Sequence, residues 1–219
     1  MKPLVSVITP TWGRHGWLLN RCVPSVQAQT WPNVEHIIVS DGPDVALREK
    51  IGQLSVPVLA PLIRFFDLPV HATEKHWGNP CRRKALEMAQ GELITYIDDD
   101  DRLYPKHCEL LAREFVADAT LMWAYSQMLS HGTHSDIVLG TVPPAEGTIG
   151  TPMVMHRREL LDVATWGEDS DVEDWKLISA WLASGVPHKN IQAITSEVWP
   201  SICHGNYDPP ERAEVYAGD

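Results

Sequence analysis

Residues 91–101 read Gly-Glu-Leu-Ile-Thr-Tyr-Ile-Asp-Asp-Asp-Asp, an apolar segment that leads directly into four carboxylates. The segment from Leu93 to Ile97 is short, rich in β-branched and aromatic residues and preceded by Gly91, which is typical of a buried parallel strand. In an open α/β sheet, ligands bind in the crevice at the carboxyl ends of such strands. The stretch therefore predicts a central strand that ends at a binding site.

The four adjacent aspartates, Asp98 to Asp101, repel one another unless a cation or hydrogen-bond donors offset their charge. Carboxylate oxygens are hard ligands that suit Mg²⁺ or Mn²⁺. A calcium loop of the EF-hand type is excluded, because Arg102 and Leu103 stand where it would need an oxygen ligand and a glycine. An acidic run is often only a solvated loop, but its position at a strand end favours cation binding here.

The composition indicates one globular domain, with 219 residues of which 44% are hydrophobic and 21% charged. A formal net charge of -11 argues against nucleic acids and anionic membrane surfaces as partners. The four cysteines form no Cys-x-x-Cys pair, which fits a reducing compartment. We find no signal peptide and no apolar run that could span a bilayer, so we expect a cytoplasmic protein without a transmembrane segment.

Strands and helices alternate in the first half of the sequence, which predicts βαβ units and a parallel sheet. Strands are predicted at 4–9, 34–40, 62–66, 93–97, 121–129, 136–139, 153–156 and 192–199. Helices are predicted at 17–27, 44–53, 81–90, 105–116, 159–164 and 172–183. Because the alternation breaks down late in the chain, we expect a nucleotide-binding half at about 1–101, a substrate-binding half at about 102–204 and a tail at 205–219.

Five segments together resemble, in order, the family 2 glycosyltransferases with a GT-A fold. They are SVITPTWGR at 6–14, VSDGP at 39–43, CRRKALEMAQGE at 81–92, DDDD at 98–101 and EDW at 173–175. The resemblance implies an α/β fold with a Rossmann-like, mostly parallel sheet flanked by helices and a smaller mixed acceptor-binding part. It also implies a divalent metal, Mn²⁺ or Mg²⁺, and sugar transfer with inversion from a nucleoside-diphosphate sugar, commonly a UDP-sugar, to an acceptor hydroxyl.

The resemblance also implies roles for individual residues on the donor side. The Asp-x-Asp motif of the family matches Asp98-x-Asp100. The resemblance implies that Asp100 binds the metal and that Asp98 contacts the ribose or a ligand of the metal. Asp99 and Asp101 could share these roles. A histidine near the C-terminus, His204, would be a further metal ligand. The other residues implied to bind the nucleotide sugar are Pro10, Thr11, Trp12, Arg14, Asp41 and Arg82.

On the acceptor side, the resemblance makes Asp174 the general base, with Glu173 beside it. Trp166 is a candidate wall for an acceptor sugar, although it could equally be a core residue, and an acid at the start of a helix often only caps it. A retaining transferase of the same fold and a non-catalytic sugar-nucleotide-binding protein remain alternatives. A sugar-nucleotide pyrophosphorylase would carry a Gly-rich basic loop after the first strand, which residues 10–16 resemble poorly.

Overall fold

Strand β4 (Leu93–Tyr96) is buried at the centre of the sheet, as its sequence predicts. It lies between β1 (Val5–Thr11), which runs parallel to it, and β8 (Val154–Arg157), which runs antiparallel. The computed structural model describes residues 2–54, 61–71, 78–132, 135–167 and 173–199. Within these ranges a nine-stranded sheet organises the fold.

The first part of the sheet is parallel and has the strand order β3-β2-β1-β4. From β1 the chain moves outward to β3 and then returns to form β4 on the other side of β1. This reversal opens a crevice between the carboxyl ends of β1 and β4, the usual place for a ligand in such sheets. The remaining elements of this part are β2 (Val34–Ser40), β3 (Leu62–Asp67), α1 (His15–Trp17), a π-helical turn (Leu18–Cys22), α2 (Val23–Gln27), α3 (Val45–Gly52) and α4 (Asn79–Met88).

The second part of the sheet is mixed, and its strands follow β4 in the order β8-β6-β9-β5, with β7 beside β6. β8 and β6 are antiparallel, whereas β6 and β9 are parallel. The predicted α/β class, with a mostly parallel first part and a mixed second part, is therefore confirmed. The elements of this part are β5 (Arg102–Leu103), α5 (His107–Ala117), β6 (Trp123–Ser130), β7 (Ile137–Leu139), α6 (Glu173–Ala183), β9 (His188–Val198) and 3₁₀ turns at Thr151–Met153 and Arg158–Asp162.

The predicted element boundaries differ from the structure where pairing with a distant strand decides the conformation. β9 begins at His188 instead of residue 192, because its polar, exposed first residues pair with β6. The helix predicted from Pro105 begins at His107, after the two-residue strand β5, which is too short to show a periodicity. The helix predicted at 159–164 is a 3₁₀ turn.

Two hydrophobic clusters cover the two faces of the sheet. Val5, Val7 and Leu93 belong to the cluster that includes residues of the π-helical turn, α2 and α5, whereas Ile8 and Ile94 belong to the cluster that includes α4 and α6 residues. The alternation along each strand thus places helices α4 and α6 on the same face. Within the described ranges, no helix is long and apolar enough to cross a membrane.

Candidate active site

The four aspartates after β4 alternate between exposed and buried positions. The side chains of Asp98 and Asp100 are 39% and 14% exposed, whereas that of Asp99 is 1% exposed and Asp101 is also buried. Asp98 and Asp100 are therefore the carboxylates that a ligand in the crevice can reach. Asp98 and Asp100 are also the two aspartates of the expected Asp-x-Asp motif, and their roles stay a prediction.

The buried carboxylates carry an electrostatic cost that nearby donors offset only in part. Burial raises the pKa of Asp99 to about 7, against the opposing effects of Arg14 and of the Thr11 hydroxyl. Thr11 Oγ1 donates a hydrogen bond of 2.7 Å to Asp99 Oδ2. Burial, together with Asp98 and Asp100, also raises the pKa of Asp101, while a hydrogen bond from the Trp199 backbone N–H lowers it.

Two arginines from the region after β1 hold the aspartate run. Arg14 Nη1 lies 2.7 Å from Asp100 Oδ2, and Arg14 Nε lies 3.2 Å from Asp99 Oδ1. Arg21 Nη1 donates to the backbone oxygen of Asp100 at 2.9 Å. No local sequence pattern indicates Arg21, because its contact is with a backbone atom 79 positions away.

The Arg21 guanidinium contacts two tryptophan rings. Its Cζ lies 4.2 Å from the ring centroid of Trp17 and 3.6 Å from that of Trp199, which follows the end of β9. Cation–π contacts of this kind are worth roughly 0.5–2 kcal/mol each. Trp17 and Arg21 stand four residues apart in a helical run. This spacing is a local sequence signal for the contact between Arg21 and Trp17.

Arg82 reaches the aspartate run from the first turn of α4. Its Nη2 lies 2.6 Å from Asp98 Oδ1, and its guanidinium lies over the ring of Trp166 at 4.8 Å. Gly78 precedes α4 with φ +82°, and a Cβ there would come within 2.9 Å of the Pro10 side chain, so glycine is required. The start of α4 is thereby packed against the end of β1.

Trp166 is buried, unlike an aromatic wall that an acceptor sugar could contact. Its ring packs edge-to-face against Tyr96 at 5.2 Å and lies beneath the Arg82 guanidinium. The structure thus places Trp166 as a support for Arg82. The other possibility considered from the sequence, a core aromatic residue, describes Trp166 better. Trp166 packs in the hydrophobic cluster that contains α4 and α6 residues, and this packing does not follow from the local sequence.

Trp12 and Asp41 lie together with His71, which no sequence motif indicated. The half-exposed ring of Trp12 stacks on His71 with 4.1 Å between ring centroids and 11° between planes. His71 Nδ1 lies 2.9 Å from Asp41 Oδ2. A Cβ on Gly42 would lie 3.1 Å from both the Trp12 ring and the His71 backbone nitrogen. These three side chains form a polar and aromatic cluster at the carboxyl ends of β1 and β2.

Asp174 lies in the first turn of α6, and its Oδ2 accepts a hydrogen bond from the Thr151 backbone N–H at 3.1 Å. Burial raises the pKa of Asp174; Arg82 opposes this effect and Asp98 adds to it. The carboxylate is therefore electrostatically coupled to the end of β4. It borders a small pocket whose other lining residues are Tyr96, Thr151, Val154, Leu177, Ile178 and Trp181.

Two sequence predictions fall outside what the structure describes, namely His204 and the side chain of Glu173. Among the described residues, no three His, Cys, Asp or Glu side chains converge in a way that could hold a metal ion. Asp98 and Asp100 nevertheless fit a hard divalent cation chemically, because Mg²⁺ is commonly held by one or two carboxylates together with substrate phosphates.

The model of the family described as glycosyl transferase family 2 matches residues 6–127, more than half of the chain. The chain belongs to glycosyl transferase family 2. It is 36% identical over 104 residues to a putative colanic acid biosynthesis glycosyl transferase, WcaA of Escherichia coli, covering 48% of this chain and 35% of that protein. It is 31% identical over 141 residues to a putative teichuronic acid biosynthesis glycosyltransferase, TuaG of Bacillus subtilis, covering 62% and 52%.

Solved structures place this family 2 chain in the GT-A fold. S. aureus TarS 1–349 superposes with a TM-score of 0.68 at 17% identity, over 90% of this chain and 60% of that one. The mannosyltransferase PcManGT of Pyrobaculum calidifontis, solved with GDP-Man and Mn²⁺, gives a TM-score of 0.67 at 14% identity, over 90% and 57%. At such identities the likeness concerns the fold, and the expected GT-A fold is confirmed.

Proposed function

We propose that this chain transfers a sugar from a nucleoside-diphosphate sugar to an acceptor hydroxyl, with a divalent metal and with inversion at the anomeric carbon. The observation that carries the proposal is the ion pair of Arg82 with Asp98 at the end of β4. The charge of Arg82 also opposes the rise in the pKa of Asp174 on α6. We infer that the proposed donor-binding acid and the candidate base lie along one cleft.

For the nucleobase, we propose the cluster of Trp12, His71 and Asp41. An aromatic ring offers a stacking face, and a carboxylate offers hydrogen-bond acceptors for the N–H groups of a base edge. Pro10 and Thr11 form the end of β1 beneath this cluster. A UDP-sugar is the first donor to test, since a TarS structure contains UDP-GlcNAc.

For the diphosphate, we propose Asp100 and Asp98 as the residues that would hold the metal, with His204 as a further candidate ligand. A bound divalent cation would supply positive charge to the departing nucleoside diphosphate. Arg82 and Arg14, which contact the two aspartates, add cationic donors at the same place. Phosphate groups are well matched to guanidinium donors.

For the acceptor, we propose that Asp174 removes the proton from the attacking hydroxyl, with Glu173 nearby in sequence. A base is most effective when its pKa approaches the working pH, and burial moves the pKa of Asp174 in that direction. The hydrogen bond from the Thr151 backbone N–H to Oδ2 holds the carboxylate in a defined orientation. Inversion requires such a base, which is why Asp174 is tied to this stereochemistry.

The test compares Asp174→Asn with the matched control Asp162→Asn. Asp162 is an exposed acid in the 3₁₀ turn at Arg158–Asp162. Donor nucleotides are first ranked by thermal shift with UDP, GDP, dTDP and CDP, with and without Mn²⁺; a ligand at a hundred times its Kd adds about 2.7 kcal/mol. We expect Asp174→Asn to lower kcat by about 100-fold or more while nucleotide affinity stays within twofold of wild type.

The pH dependence and the product provide independent evidence. Because the base must be ionised, kcat/KM should fall as pH drops through the raised pKa of Asp174, and Asp174→Asn should lack this limb. Unchanged transfer by Asp174→Asn would remove Asp174 from the mechanism.

The configuration of the product tests the stereochemistry. A retained anomeric configuration, read by NMR, would favour the retaining alternative. Binding of nucleotide without turnover would favour a binding protein.

A further inference from the structure

Arg14 contacts two consecutive carboxylates whose surroundings differ. Its Nε faces Asp99, which is buried and receives the hydrogen bond from the Thr11 hydroxyl, so this partner is held in place. Its Nη1 faces Asp100, whose side chain is 14% exposed and lies toward the crevice. The Arg14 side chain is itself 41% exposed. One contact of Arg14 is therefore anchored, and the other can exchange its partner.

The charge balance around Arg14 shows why a cation is needed there. Arg14 contacts Asp99 and Asp100, which stand next to each other among four consecutive carboxylates, whereas Asp98 pairs with Arg82. Arg14 is thus a protein-supplied cation for Asp99 and Asp100. It occupies Asp100 Oδ2, an oxygen of the carboxylate on which a divalent cation would bind. Two cations on the same carboxylate repel each other, so they compete for Asp100.

The backbone of Asp100 has a separate attachment that does not depend on Arg14. Arg21 Nη1 holds its carbonyl oxygen at 2.9 Å, between the rings of Trp17 and Trp199. The Asp100 carboxylate can therefore change partners while the main chain of the run stays in position.

We propose that Arg14 is the internal counter-cation of the metal-free aspartate run, and that a divalent cation displaces its Nη1 from Asp100 while its Nε stays on Asp99. The inference rests on the metal dependence in the proposed function. Its consequence is a coupling between metal and donor. The metal alone binds weakly because it must displace Arg14, and it binds more tightly with the diphosphate, which offers the displaced guanidinium a new anion.

The test measures Mn²⁺ binding to the protein without any substrate, by the electron paramagnetic resonance signal of free Mn²⁺. It compares wild type, Arg14→Gln and Arg14→Lys, with Arg48→Gln as a control because Arg48 pairs with Asp67 elsewhere. We expect Arg14→Gln to bind Mn²⁺ about fivefold more tightly or better, the lower limit of a typical coupling between sites. Arg14→Lys, which keeps the charge, should lie between it and wild type, and Arg48→Gln should match wild type.

Two further measurements complete the experiment. The melting temperature of Arg14→Gln should be below that of wild type without metal, and the difference should narrow at saturating Mn²⁺. The gain in Mn²⁺ affinity that UDP produces should be smaller in Arg14→Gln than in wild type. Should Arg14→Gln fail to fold without metal, Arg14→Lys still reports the direction of the change in Mn²⁺ affinity.

The outcomes separate this inference from the proposed function. Weaker or unchanged Mn²⁺ binding in Arg14→Gln, with clear binding by wild type, overturns the exchange and leaves the proposed transfer reaction standing. No Mn²⁺ binding by wild type or by any variant overturns both the metal dependence and the exchange. Loss of nucleotide binding in all proteins, with Mn²⁺ binding intact, counts against the donor site and not against the exchange.

Discussion

Arg82 and Asp98 form an ion pair of 2.6 Å that joins the first turn of helix α4 to the end of strand β4. The guanidinium is buried on Trp166, whereas the carboxylate is partly exposed to the crevice. The positive charge of the same guanidinium opposes the rise in the pKa of Asp174 that burial causes. The charge of Arg82 therefore acts on Asp98 at the end of β4 and on Asp174 at the start of α6.

Replacing Arg82 by methionine should therefore affect both stability and ligand binding. The change leaves Asp98 and Asp174 without their shared cation, and we expect a loss of about 2 kcal/mol in the free energy of unfolding, typical of a hydrogen bond to a charged group. Nucleotide affinity should fall about tenfold, equal to about 1.4 kcal/mol. Urea unfolding and a UDP titration measure the two effects.

The control for Arg82 is Lys84→Met on the same helix, because Lys84 pairs with Glu87 at the surface. Surface pairs contribute at most about 1 kcal/mol, so this variant should remain close to wild type in both measurements. If Arg82→Met and Lys84→Met were equal in stability and in UDP affinity, the contacts of Arg82 would contribute nothing to the free energy of unfolding or to nucleotide binding.

His71→Ala should weaken nucleotide binding without changing Mn²⁺ binding in the absence of nucleotide. The histidine supports the exposed ring of Trp12 and contacts Asp41, so its removal takes away one side of the proposed base pocket. Aromatic pairs contribute about 0.5–1.5 kcal/mol, which corresponds to a loss of roughly 2- to 12-fold in UDP affinity. The neighbouring exposed residue Val70, replaced by alanine, provides the control. Identical UDP titrations for both variants would exclude His71 from the pocket.

Trp199→Leu should lower stability and weaken binding of the nucleotide–metal pair. The substitution removes one of the two rings around Arg21, whose Nη1 holds the Asp100 carbonyl. We expect a loss of about 1 kcal/mol in the free energy of unfolding, within the range of a cation–π contact. Trp199→Phe retains an aromatic face and should recover most of the UDP affinity measured with Mn²⁺. If leucine and phenylalanine behave alike, the ring does not position Arg21.

Three buried histidines should contribute a loss of stability as the pH is lowered below 6.5, the ordinary histidine value, whereas Asp99, Asp101 and Asp174, whose pKa values burial raises, contribute in the opposite direction. Burial lowers the pKa of His36 and of His107 to about 3, and that of His156 to about 4. Between these values and 6.5 each of these histidines binds a proton in the unfolded chain and not in the folded chain, so the histidine contribution to the free energy of unfolding decreases with falling pH. Each group contributes about 1.4 kcal/mol per pH unit in that window.

Urea unfolding at pH 7, 6 and 5 measures this slope. His107→Gln should be less stable at pH 7, because His107 contacts Thr95 and Thr195 in the interior. Its slope should nevertheless be shallower than that of wild type by about 1.4 kcal/mol per pH unit, the contribution of one group. A slope equal to that of wild type would show that His107 does not take up a proton on unfolding.

Much of the fold could be predicted from local sequence. The apolar run Leu93–Ile97 behaves as the buried central strand that its composition indicates, and the alternation of strands and helices up to β4 specifies the parallel sheet. The order of the short motifs likewise indicates the family, because the motifs lie within or directly after elements whose type follows from local periodicity. The limits appear at β5 and at the first residues of β9, whose conformation depends on partners far along the chain.

The sequence by itself determined that carboxylates stand at the ends of β2 and β4 and at the start of α6, because strand ends and helix starts follow from local patterns. Only the tertiary structure decided which of the four aspartates reach the crevice. It also brought Arg14 and Arg21 to the aspartate run and His71 to Asp41. The physical reason is that burial and ion pairing depend on residues 30 to 86 positions apart, which meet only when the two faces of the sheet are packed.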